Sequence, residues 1–101
     1  MAQLMLPHDI VNNPLLRRIL SRSAEEIEMS LPSETRLVVH LKKASKRLYD
    51  ANLRAKLFGQ TVVVTVQDTD IFHAISRARR QLFRQVEAVR EQRRARERQR
   101  A

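Results

Sequence analysis

The chain has 101 residues, enough for one domain with one modest core. Its hydrophobic fraction, 43%, is ordinary for a folded protein, and its apolar runs are far too short to span a membrane. It lacks Cys, which excludes disulfides and thiolate metal sites, and 20 Lys+Arg against 11 Asp+Glu leave a net charge of +9.

Residues 1–6 lack the basic region and long apolar stretch of a signal peptide, and the absence of Cys fits a reducing, intracellular setting. Gln3 to Leu6 is a weak strand candidate, and Pro7-His8-Asp9 reads as a turn. A helix follows, with Asn13 as cap and Pro14 in its first position. Leu16, Ile19, Leu20, Ala24 and Ile27 recur at helical spacing and should form its buried stripe, and Leu31-Pro32-Ser33 ends it. Three strands come next. Leu37, Val39 and Leu41 alternate within Arg36 to Lys42. Ala51, Leu53, Ala55 and Leu57 alternate within Tyr49 to Phe58, and Val62, Val64 and Val66 within Thr61 to Gln67. Period-two alternation marks a sheet with one packed face and one wet face. Gly59, the lone Gly, is expected with Gln60 in a tight hairpin turn that needs a positive φ.

Asp68-Thr69-Asp70 offers capping residues for a second long helix. Its core stripe should be Ile71, Ile75, Ala78, Leu82, Val86 and Val89. Beyond Val89 no apolar residue larger than Ala appears, so residues 91–101 are expected as an Arg-rich helical extension or flexible tail on a single 1–90 domain. The order β-α-β-β-β-α predicts an α+β, two-layer sandwich: a four-stranded sheet with two helices packed on one face.

The sequence gives no positive argument for catalysis, and we expect neither an enzyme nor a cofactor. His8, His40 and His73 are far apart, and none shows the close pairing of a zinc motif. One Gly cannot build a phosphate-binding loop. Asp68 and Asp70 are explained by helix capping with fewer assumptions than by a metal. The six Ser residues from Ser21 to Ser76 have no visible base partner.

The charge is unevenly spread. Residues 71–101 carry 10 Arg against 3 acids, whereas residues 1–70 are nearly balanced. Such concentration points to a polyanion. Three clusters stand out: Arg17, Arg18 and Arg22 on the first helix; Lys42, Lys43, Lys46 and Arg47 between two strands; and Arg77, Arg80 and Arg84 on one face of the second helix, flanked by Arg79 and Arg90. The planar guanidinium binds phosphate through two parallel hydrogen bonds. Tyr49, Phe58, Phe72 and Phe83 are too scattered for a base-stacking platform, and Phe72 and Phe83 are expected in core or helix-edge packing. Recognition by shape and charge suits folded RNA.

These residues carry a resemblance. The segment Asp70-Ile71-Phe72-His73-Ala74-Ile75, followed by Leu82-Phe83-Arg84-Gln85, resembles the Asp-x-Tyr-x-Ala-Ile and Leu-x-Arg-Gln motifs of the short ribosome hibernation-promoting factors. That family includes the ribosome-associated inhibitor protein and is also described as the sigma-54 modulation family. The hairpin around Gly59 and the order of elements match as well. The resemblance covers nearly the whole chain and is most specific in residues 49–85. It implies a cytoplasmic protein that binds the small ribosomal subunit and its ribosomal RNA. Translation would be blocked by occluding the channel for messenger and transfer RNA during stress or stationary phase. It implies no membrane, no small-molecule substrate and a free monomer, with the length of a short form. Arg17, Arg18, Arg22, Lys43, Lys46, Arg47, Arg77, Arg80, Arg84, Gln85 and Arg90 would contact RNA, and Arg84 and Gln85 match the motif directly. Gln81 stands where the family usually has Lys, and Glu87, Ala88 and Val89 interrupt its basic run. Two other readings stay open: a double-stranded RNA-binding module, and a regulatory domain with an acidic protein partner.

Overall fold

In a computed structural model of the chain, residues 2–100 are described. The elements run β1 (Gln3–Met5), α1 (His8–Val11), α2 (Pro14–Met29), β2 (Arg36–Ser45), β3 (Leu48–Leu57), β4 (Gln60–Asp68) and α3 (Ile71–Arg100). The sheet order is β1-β2-β3-β4, with β1 parallel to β2 and the other pairs antiparallel. The fold is thus the α+β, two-layer sandwich expected from the pattern.

The alternation explains the layers. Leu37, Val39 and Leu41, then Ala51, Leu53, Ala55 and Leu57, then Val62, Val64 and Val66 are all buried on one face. Leu20, Ala24 and Ile27 of α2 and Ile71, Ala74, Ile75, Ala78, Leu82 and Val86 of α3 cover that face. The side chain of a fully buried Leu contributes about 1.5–3 kcal/mol by leaving water, so this cluster supplies the main drive to fold. The α2 stripe is narrower than its spacing suggests: Leu16 is half-buried and Ile19 is exposed.

The caps set where the helices begin. The Asn13 Oδ1 accepts a hydrogen bond from the Leu16 N–H at 3.2 Å, and Pro14 follows. The Asp70 Oδ1 accepts from Phe72 N–H at 2.8 Å and His73 N–H at 3.2 Å. Asp68 does not cap α3; its Oδ1 accepts the Asp70 N–H at 3.0 Å and so shapes the turn before the helix.

Three local expectations are corrected. The segment after Pro7 is a one-turn helix rather than a simple turn, because the Pro7 carbonyl accepts from both Ile10 and Val11. The β3–β4 turn is centred on Phe58 and Gly59, not Gly59 and Gln60. Both central residues have positive φ, 50° and 73°, and Leu57 pairs with Gln60 across the closing rung. Phe72 lies outside the core at 43% exposure, while Phe83 is half-buried against it.

The direction of each element matters for function. Both helices start at the end of the sheet where β1, β2 and β4 finish and where β2 turns into β3. At the opposite end lie the Phe58-Gly59 turn and the start of β2. The 30-residue α3 is about 45 Å long, against about 30 Å for the 9-residue β4, so the helix outruns the sheet at that second end.

Candidate nucleic-acid interface

Two of the three cationic clusters lie on the helices, and the third lies between β2 and β3. The Lys46-Arg47 turn, Arg17 and Arg18 of α2 and Arg77 of α3 lie toward the end where the helices begin, and Arg22, Arg80 and Arg84 carry the charge along the helices from there. Arg17, Arg18 and Arg22 fall within the first nine of the 16 residues of α2 and are exposed. Arg18 and Arg22, four positions apart, share its outward face, and Arg17 lies toward a flank. The basic link is tighter than its sequence suggests: β2 continues to Ser45, which pairs with Leu48, so Lys46 and Arg47 form a two-residue turn. A register shift between Lys43 and Ser45 bends the strand there. Arg77, Arg80 and Arg84 are exposed on the face of α3 opposite its buried stripe, and they line one shallow groove with His73 and Gln81. Gln85 is exposed beside this row, and Arg90 is half-buried further along.

The cations differ in freedom. The Arg77 Nη1 lies 3.2 Å from the Asp68 Oδ2 and donates to the Gln67 carbonyl at 3.2 Å. His73 Nδ1 stands 2.7 Å from the same Asp68 oxygen. The Asp70 N–H that Asp68 accepts holds the Asp68 carboxyl below the usual carboxylate range; burial opposes it in part, and the Arg77 guanidinium and His73 add to the lowering. Lys43 Nζ lies 3.4 Å from the Asp9 Oδ2, which also accepts from the Tyr49 hydroxyl at 3.4 Å. Arg90 is paired with Glu87 at 3.0 Å. Arg17, Arg18, Arg22, Lys46, Arg47, Arg80 and Arg84 have no ion pair among the described residues. Exposed cations without an ion pair can take phosphate oxygens from solvent without first breaking a protein contact.

Local periodicity places residues on faces but does not pair them across strands. Arg36, Lys42, Arg54 and Lys56 share the open face of the sheet, with Asp50 as the acid among them. The alternation already assigned them to the wet side; the register that gathers them is a long-range property. Among the described residues no group of three or more His, Cys, Asp or Glu could hold a metal ion. No helix there is long and apolar enough to cross a membrane.

No protein-family model matches the sequence, and no curated protein matches it. The fold does have solved counterparts. It is similar to the N-terminal domain of Protein Y from Thermus thermophilus, with a TM-score of 0.69 and 21% identity, over 88% of this chain and 99% of that one. It is likewise similar to a ribosomal subunit interface protein from Coxiella burnetii, with a TM-score of 0.70 and 16% identity, over 90% and 99% of the two chains. At these identities the likeness establishes the fold, and it spans nearly the whole of both neighbours.

Proposed function

We propose that the chain is a ribosome hibernation factor that binds the small ribosomal subunit and blocks translation by occupying the channel for messenger and transfer RNA. The observation that carries this reading is that three cationic clusters, on α2, the β2–β3 turn and α3, begin at one end of the sandwich and run along the exposed helix surfaces. Arg84 of the motif and Arg80 one turn before it have no ion pair among the described residues. The likeness in fold to a protein described as a ribosomal subunit interface protein supports the choice of partner.

The mechanism is steric and electrostatic. Arg17, Arg18 and Arg22 from α2, Lys43, Lys46 and Arg47 from the β2–β3 hairpin, and Arg77, Arg80, Arg84, Gln85 and Arg90 from α3 clamp ribosomal RNA phosphates. Each phosphate neutralised releases condensed counterions, which drives association and makes it salt-dependent. The rigid sandwich then fills space that translation needs. The chain acts by occupancy rather than turnover, without a cofactor, as a cytoplasmic monomer made for stress or stationary phase.

Sedimentation of purified small subunits with added protein tests the reading. Co-sedimentation that is lost on adding salt, together with arrest of a cell-free translation reaction, is the expected result. Tight binding to a naked RNA duplex with no preference for subunits would instead make the chain a double-stranded RNA-binding module.

A further inference from the structure

The second end of the molecule holds three features that work against folding. The first is Phe58. A two-residue turn with both φ angles positive is ordinarily built from Asn-Gly or Asp-Gly. A bulky aromatic in the left-handed region is sterically disfavoured, yet Phe58 adopts φ 50° and remains 41% exposed. The second is charge. The sheet register sets Arg36 directly opposite Lys56, two like charges on one rung, and neither has an ion pair among the described residues. The third is α3. The phase of its buried stripe continues past Val86 through Val89, Arg93, Arg96 and Arg100. Aliphatic residues give way to arginines where the helix outruns the sheet.

All three meet at one place. Arg93 lies over the Phe58 ring, its Cζ 4.4 Å from the centroid. Phe58 stands between two hollows: one is lined by Arg36, Lys56 and Arg93, the other by Arg93, Arg96 and Arg100. Glu34 in the first and Glu97 in the second are the opposing acids, and Glu97 is held by Arg93 at 3.5 Å. The arginines and lysine outnumber them. Local costs that converge on one spot mark a site retained for a ligand rather than for stability. The ligand chemistry is anionic groups on either side of a flat apolar face. An acidic peptide would satisfy the cations but leave uncovered the part of the ring that Arg93 does not screen from water.

We propose that this end is a second RNA contact, taking a single-stranded segment whose base stacks on Phe58 while its phosphates lie against Arg36 and Lys56 on one side and Arg93 and Arg96 on the other. An unpaired base is required because a duplex hides its faces. The inference rests on the ribosomal reading only for the source of the strand. From Arg77 to Arg93 the helix advances about 24 Å, so one large RNA surface can engage both ends together.

The test is fluorescence anisotropy of a fluorescein-labelled decauridylate with the full chain, run beside co-sedimentation with small subunits. Phe58→Asn suits the turn and should raise the thermal midpoint, yet weaken oligomer binding by about fivefold or more, the loss expected for one stacked base. A merely structural role would move stability and binding in the same direction. Arg36→Gln with Lys56→Gln should also raise the midpoint and flatten the salt dependence of oligomer binding. Unchanged affinity in Phe58→Asn, or no oligomer binding by the wild-type chain, overturns the proposal whatever the subunits do. Phe58-dependent oligomer binding by a chain that ignores subunits sustains this site and removes the ribosomal reading.

Discussion

Arg77 reaches back across the β4–α3 junction to Asp68, with its Nη1 3.2 Å from the carboxylate Oδ2. One of the cations that should meet RNA is therefore already held by an acid, and His73 shares that acid at 2.7 Å. Asp68→Asn removes the competing charge. We predict tighter binding to the small subunit and a salt dependence steeper by roughly one phosphate contact, read from affinity against log salt.

The same carboxylate gives a pH signature. Asp68 titrates below its ordinary value in the folded state because it accepts the Asp70 N–H and faces Arg77 and His73. A lowered folded pKa means that stability is present above the unfolded value, about 3.9, and is lost as pH falls through the folded one. Thermal midpoints measured downward from pH 5 should fall less steeply in Asp68→Asn than in the wild-type chain.

The helix caps are separable from the RNA-binding cations. Asn13→Ala and Asp70→Ala each remove a side-chain acceptor at the start of a helix. Each should cost about 1 kcal/mol, a fall of roughly 4–8 °C in the midpoint of a domain this small. Subunit affinity well below the melting range should be unchanged.

Much of the fold was legible because its signals are local. Alternation at Leu37, Val39 and Leu41 and four-three spacing along α3 located the buried face before any tertiary information. Failures came where one residue breaks a local rule or where the answer depends on a distant partner. The sequence pattern places the β3–β4 turn one residue late because Phe58 is a poor residue for a positive φ. Phe72 was expected to pack because it is large and apolar, but it sits one position off the buried phase beside Ile71. α1 has a single turn and so no periodicity to read. The candidate interface was half legible: the three basic clusters are visible as runs and spacings, whereas their start at one end of the sandwich follows from strand order. The Arg36–Lys56 rung needed the register, and Arg93 over Phe58 needed the helix to return past the hairpin.

The β2–β3 turn offers a test with little structural risk. Lys46 and Arg47 are exposed in a two-residue turn and have no ion pair among the described residues. Lys46→Gln with Arg47→Gln should leave stability within about 0.5 kcal/mol of wild type, as surface changes usually do. Subunit affinity should fall, and the salt dependence should become shallower by one to two phosphate contacts on the order of magnitude set by counterion release.

In the proposed function, outward cations of α3 hold the chain on the small ribosomal subunit. The most direct test is co-sedimentation of purified small subunits with the wild-type chain and with the triple variant Arg77→Glu, Arg80→Glu, Arg84→Glu, across a salt series. Wild-type binding should decline steeply with salt, and the folded triple variant should stay in the supernatant throughout. Salt-independent binding, or a triple variant that still pellets with the subunit, would contradict that role.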